Sequence, residues 1–261
     1  MLRRGAVVGL ALLMVAAAGC EDSSAQKERD ESVPMVRAYV VHHGGEAFRQ
    51  IKEAFEAEAG IELNYIFACR TAMAKIVGDS RDGDVCVTSG ADNLAWFAKT
   101  GLARGKPVEV AELIPIVEVM KGNPKNIESV ADLARPGVRI CLGREKGCLG
   151  VVASALFEKH GVAETVKANI VQRVGGEHNV AASVDGQEID ATIVWESSRR
   201  AVDPDGYEAV TIPTEKNAID SVGAVLLNTG DNPAGAEKFV AFLQSDQARK
   251  IFRETALLRA E

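Results

Sequence analysis

From residue 35 onward, short β-prone apolar runs alternate with longer stretches whose apolar residues recur every three or four positions. Residues 35–41 (MVRAYVV) predict a strand ending at His42-His43-Gly44-Gly45. Residues 46–59 follow with Phe48, Ile51 and Phe55 on one helical face until Gly60 stops the run. Over 61–67, Ile61, Leu63, Tyr65 and Phe67 alternate with polar positions, the period of a strand, and a shorter helix opens near Thr71 with Met73, Ile76 and Val77 on one side. A strand at 85–88 and a helix at 92–99, closed by Gly101, make a third such unit. After the Pro115 region come strands at 117–120 and 138–142 and a helix carrying Val151, Val152, Ala155 and Leu156. Further strands follow at 170–174 and 191–195. A strand at 222–227 leads into helices at about 234–243 and 246–255, with Ser245 as the N-cap of the second. This alternation predicts an α/β chain of two lobes, each a mainly parallel sheet flanked by helices, with a ligand cleft between them at the carboxyl ends of strands.

The first twenty residues stand apart from that pattern. Arg3 and Arg4 precede an apolar run over 5–18 that is short for a permanent span, which reads as an export signal occupying 1–19. The run ends Ala17-Ala18-Gly19-Cys20, which resembles a bacterial lipobox, and this implies a lipidated Cys20 anchoring the chain to a membrane without spanning it. Charged residues follow with few large apolar side chains, so 20–34 is expected to be the lipidated cysteine and a solvated tether. The formal charge of −7 becomes −9 once Arg3 and Arg4 leave, and aromatics are 5%, so nothing marks a nucleic-acid surface. With 47% hydrophobic residues the chain has enough apolar material for one large core or two modest ones.

Candidate chemistry gathers where predicted strands give way to helices: His42 to Gly45, Ala68 to Thr71, Thr88 to Gly90, Gly143 to Leu149, Glu177 to Val180 and Trp195 to Ser198. Helix N-termini present unpaired N–H groups and partial positive charge, so such junctions suit anions.

Several segments are similar to the molybdate-binding type of periplasmic solute-binding protein. They are Gly83-Asp84-Val85, KGNPKNI at 121–127, DLARPGV at 132–138, Trp195-Glu196-Ser197, 213–217, and 232–252 beginning Asn232-Pro233, and the similarity covers nearly all of 35–257. The resemblance implies a type II periplasmic-binding-protein fold that captures a small inorganic oxyanion such as molybdate or tungstate. The permease of an ABC importer in the inner membrane would receive it; no cofactor, no catalysis and a monomer are expected. It also implies that lobe 1 is built from both chain ends, 35–113 plus 223–261, with 114–222 as lobe 2. The family's oxyanion stations fall here on His43 and Gly44, on Cys69, Arg70 and Thr71, on Gly147, Cys148 and Leu149, on Asn179 and Val180, and on Ser197. Cys148 lies in a Gly/Ala-Cys-x-Gly stretch that resembles one branch of the family, and the chain departs from that branch in having His42-His43 where a small-residue turn is usual, and Cys69-Arg70-Thr71 in place of Ser-Gly. It also has Gly143-Arg144-Glu145 in place of Gly-Asp-Pro. Arg70 could offer paired hydrogen bonds to an ionised oxyanion.

A second reading of the same junctions is a soft metal or metalloid site. His42, His43 and His178 are three of only four histidines, and with Cys69 and Cys148 they are suitable ligands for copper or zinc. If the first strand stays regular, His42 and His43 point to opposite faces and only one enters the cleft, unless the chain bends at Gly44. Cys69, Cys86, Cys141 and Cys148 allow three disulfide pairings that sequence leaves open; Cys86 and Cys141 read as core residues within strands, and a bond from Cys69 to Cys148 would pin the lobes shut. A third reading places Cys148 as a nucleophile at a helix start, with His43 or His178 as base. No phosphate loop, cofactor fingerprint or Ser/His/Asp order supports it.

Overall fold

The computed structural model describes residues 34–186, 188–202 and 208–258. The expected signal at 1–19, the lipidation site Cys20 and all of the tether except Pro34 lie outside the described residues. Among the described residues, no helix is long and apolar enough to cross a membrane.

Two five-stranded sheets organise the chain. Strands β1 (Met35–Val41), β2 (Glu62–Ala68), β3 (Val85–Ser89) and β4 (Val108–Leu113) belong to the first. Strands β5 (Pro115–Val119), β6 (Ile140–Gly143), β7 (Ile170–Val174), β8 (Ala191–Trp195) and β9 (Glu208–Thr211) form the second, and β10 (Asp220–Leu226) returns to the first. The spatial orders are β2-β1-β3-β10-β4 and β7-β6-β8-β5-β9. In each sheet four strands point the same way and one is reversed: β10 pairs antiparallel with β3 and β4, and β5 with β8 and β9, while the other pairings are parallel. The sheets are therefore mixed, more so than the strand-helix alternation predicts, because the antiparallel strands are those entered when the chain passes from one sheet to the other. It passes once at Ile114 and returns over 212–219.

The helices are α1 (Gly45–Ala59), α2 (Arg70–Ser80), α3 (Ala91–Lys99), α4 (Cys148–Lys159), α5 (Glu177–Ala181), α6 (Glu196–Val202), α7 (Pro233–Leu243) and α8 (Asp246–Glu254). Helix α1 buries Phe48, Ile51 and Phe55, the predicted face, and Gly60 ends it at φ +62°, a left-handed conformation that glycine adopts without Cβ strain. Its aromatic rings meet those of α7 and α8 edge to face, Phe55 with Phe239 at 5.2 Å and Phe48 with Phe252 at 5.9 Å. Ser245 caps α8 by accepting from Ala248 N at 3.2 Å, as the sequence predicts, and Asn232 caps α7 by accepting from Gly235 N.

The two sheets repeat one bracket. Asp84, just before β3, accepts Arg37 N at 2.8 Å while its own N–H donates to Arg37 O at 2.9 Å. Asp190, just before β8, accepts Arg139 N at 2.7 Å and donates to Arg139 O at 2.8 Å. In both lobes a carboxylate thus fixes where two neighbouring parallel strands begin, and hence where their carboxyl ends deliver the next helix.

Candidate functional site

Strand β1 stops at Val41, and His42–Gly44 form a 3-10 turn. The alternation of a regular strand therefore ends one residue before the histidines. His42 is exposed and His43 buried, yet their rings lie side by side with centroids 4.1 Å apart. Gly44 is required where it stands: a Cβ there would lie 2.7 Å from Leu257 Cδ1 and 3.0 Å from the Phe48 ring. It lets the start of α1 close against the end of the chain.

Cys69 is the N-cap of α2, with extended backbone at ψ 140° and its carbonyl taken by Ala72 N and Met73 N. Cys148 opens α4 behind Gly147, whose N–H donates to Arg144 O at 2.8 Å. The turn is so tight that a Cβ on Gly150 would fall 2.0 Å from Arg144 O. These two helix starts bring Cys69 Sγ and Cys148 Sγ to 2.9 Å, with Thr71 Oγ1 at 3.3 Å from Cys69 Sγ. All four described cysteines are free thiols, and Cys86 and Cys141 are buried in their strands.

Two further contacts join the sheets. His43 Nδ1 lies 2.5 Å from Glu177 Oε2, the first residue of α5, and the His43 carbonyl accepts from Ser197 Oγ at 3.2 Å, near the start of α6. The second nitrogen of that ring, Nε2, is buried with no hydrogen-bond partner, and so is Glu177 Oε1. A cavity of about 590 Å³ opens here, lined by His42, His43, Glu177, His178 and Ser197 among others. One ring nitrogen of His42, one of His43 and Cys69 Sγ lie within 4.8 Å of one another, a spacing that a single metal ion can bridge.

A smaller cavity of about 210 Å³ is lined by Arg70, Cys148, Trp195 and Asp220 among others. Arg70 Nη1 donates to Asp220 Oδ2 at 2.7 Å, and Gly90, at φ +91°, leaves room for the guanidinium. Trp195 Nε1 is buried without a partner.

The remaining predicted residues play quieter parts. Leu149 and Val180 are buried, and Val180 N is spent on Gly176 O at 3.2 Å. Asn179 is exposed and donates to Gly175 O, holding its own turn, while Thr71 is exposed beside Cys69. His178 is exposed on the larger cavity, outside the group formed by His42, His43 and Cys69. Of the partners of His43 and Arg70, Glu177 falls in a junction marked by the sequence but is assigned no binding role there, and Asp220 is absent from the candidates. A carboxylate directly after Gly175-Gly176 was the available signal for the first; the second lies 150 residues from its arginine and left none.

The thiol pair is electrically uneven. The hydrogen bond from Cys148, assisted by Thr71 and the nearby His43 against the opposing effect of burial, holds the Cys69 thiol down to about 4. The same bond, together with burial, pushes the Cys148 thiol up. Cys69 should therefore react with iodoacetamide at a rate nearly flat from pH 8 down to about 5 and falling below that. Cys148→Ala, which removes the donor, should move the inflection upward by at least one pH unit. A wild-type profile centred near the ordinary thiol value, read by mass spectrometry of the Cys69 peptide, would refute the asymmetry.

Residues 38–255 match the family of bacterial extracellular solute-binding proteins. The molybdate-binding protein ModA of Mycobacterium bovis is 26% identical over 214 residues, covering 82% of this chain and 80% of that protein. Among solved structures, the substrate-binding domain of a putative molybdenum ABC transporter from Clostridium difficile superposes with a TM-score of 0.72 at 16% identity, covering 87% of this chain and 99% of the other. The periplasmic molybdate-binding protein of Azotobacter vinelandii does so at 0.70 and 13% identity, covering 87% and 100%. The two sheets with their flanking helices are thus the two-lobed fold of periplasmic binding proteins. By the match over most of its length, the chain belongs to the bacterial extracellular solute-binding proteins, a family of receptors for solutes and not of enzymes.

Proposed function

We propose that the protein is a lipid-anchored receptor that closes two lobes over a small inorganic oxyanion of the molybdate class and hands it to the permease of an ABC importer. The relatives named for molybdate support the ligand class. The observation that carries the reading is the convergence of helix starts from both sheets, those of α2 and α4 and of α1, α5 and α6, on one cleft with buried unpartnered polar atoms. Each helix start offers N–H groups and partial positive charge, and contacts from both sides exist only when the lobes are shut. A ligand that touches both lobes therefore shifts the population toward the closed form, which the importer reads.

In this reading Arg70 and Trp195 Nε1 provide donors in the smaller cavity, with Asp220 orienting the guanidinium. A hydrogen bond to a charged group is worth about 1.5–3 kcal/mol, so Arg70→Ala should weaken oxyanion binding by about tenfold or more while leaving the fold intact. Calorimetric titration of wild type and variant with molybdate, tungstate, sulfate and phosphate measures this. If no oxyanion binds the wild type, the ligand class falls; if the variant binds as tightly as the wild type, Arg70 leaves the site.

A further inference from the structure

We infer that His42, His43 and Cys69 form a site for a soft, tetrahedrally coordinated cation of the zinc(II) class, which Cys148 of the opposite lobe completes as fourth ligand by a small shift. The inference goes beyond the oxyanion reading: it places a cation on His42, His43 and Cys69, whereas the oxyanion donors named above are Arg70 and Trp195. Three observations carry it.

First, ligand atoms of His42, His43 and Cys69 lie within 4.8 Å of one another, although His42 and His43 are adjacent and would diverge in a strand. The 3-10 turn at His42–Gly44 is what brings both rings to one side. Second, His43 has the arrangement of a ligating imidazole. Its Nδ1 is held by the Glu177 carboxylate at 2.5 Å, and its Nε2 is buried without a partner on a side chain only 3% exposed. A carboxylate on one ring nitrogen orients the other and raises its basicity toward a metal. Without a ligand, that buried Nε2 leaves its desolvation uncompensated. Third, a second sulfur lies beside the group, Cys148 Sγ at 2.9 Å from Cys69 Sγ, closer than two sulfurs stand on one tetrahedral zinc, so it reaches the cation by drawing back from Cys69. Two imidazoles and two sulfurs make an N2S2 set, which suits zinc(II) or copper(I) and not the all-oxygen shell of magnesium or calcium. Glu177 and the sulfurs also place negative charge where a cation gains and an anion loses. Coordination by Cys148 displaces its thiol proton to solvent.

The test uses the full folded domain, purified under reducing conditions without chelators, with zinc(II) and cobalt(II) as probes. One equivalent of zinc should survive gel filtration, and cobalt(II) should give thiolate-to-metal charge-transfer absorbance with tetrahedral ligand-field bands. Cys69→Ser should weaken zinc at least a hundredfold, and the Cys69→Ser, Cys148→Ser double variant should abolish the charge-transfer band. His42→Ala, at an exposed position, should weaken zinc about tenfold with the circular dichroism spectrum unchanged. Cys148→Ser should retain binding but halve the charge-transfer intensity. Absence of stoichiometric zinc, or zinc binding that Cys69→Ser and His42→Ala leave unchanged, overturns the inference. Molybdate titrated in parallel separates the two readings. Molybdate without zinc overturns this inference alone, zinc without molybdate supports it while the oxyanion reading falls, and a folded protein that binds neither overturns both.

Discussion

Glu118→Ala is expected to lower the free energy of unfolding by about 3–5 kcal/mol. Glu118 lies in the middle of β5, fully buried, and its Oε1 is 2.7 Å from Arg199 Nε, whose side chain is 5% exposed. Removing the acid takes this carboxylate counter-ion from a guanidinium held in the interior, and less of that charge's desolvation is then offset. Replacing both partners together, as Glu118→Met with Arg199→Leu, should cost far less, because a buried ion pair and a well-packed apolar pair are often of similar stability. The measurement is the urea midpoint at constant slope, and a double variant as unstable as Glu118→Ala would show that the site needs polarity for another reason. The pair also fixes α6, which carries Ser197 to the His43 carbonyl, so Glu118→Ala should loosen the cleft as well as the second lobe.

Asp84→Ala should be nearly as damaging, by about 3 kcal/mol or more. Its buried carboxylate accepts two backbone N–H groups, Arg37 N through Oδ2 and Asn232 N through Oδ1, both at 2.8 Å. Hydrogen bonds to a charged acceptor are worth about 1.5–3 kcal/mol each, and truncation strands the donors in a place that water does not refill. The first tie holds β1 against β3 and the second holds the start of α7, so one side chain joins three segments remote in sequence. Asp190→Ala, which removes the corresponding bond to Arg139 N, should cost about half as much, since among the described residues that carboxylate accepts one backbone N–H where Asp84 accepts two. Thermal unfolding of the two variants decides this; equal losses would mean that the contact with Asn232 contributes nothing.

Local pattern in the sequence revealed those elements whose stability is local in origin. Phe48, Ile51 and Phe55 with Gly60 define α1, and Ser245 defines the start of α8, because period and cap lie within one element. Strands β4 and β9 escaped it. In β4, Glu109 and Glu112 interrupt the apolar run, and β9 is four mostly exposed residues at a sheet edge. The strand over 222–227 was legible as a strand, but its antiparallel insertion between β3 and β4 was not, since that pairing is a choice among distant partners. At the site the same limit applies. Strand-to-helix junctions marked His43, Cys69, Cys148 and Ser197, whereas the partners that define their chemistry lie far along the chain, Glu177 134 residues from His43 and Asp220 150 residues from Arg70. The relation of His42 to His43 depended on where β1 stops, and a boundary one residue away changes it from opposed to adjacent.

The position of β10 sets an order of assembly. Every strand of the second sheet is contained within 115–211, so that half can complete its hydrogen-bonded ladder as soon as those residues are available. In the first sheet, β10 is the one strand that pairs with β4 among the described residues, and β3 has an empty side until residue 220 arrives. Closing so long a loop before any pairing compensates for it is slow. The half of the molecule that begins the folded chain is therefore the last to be finished, and its unpaired edge is the segment most in need of protection while the chain matures.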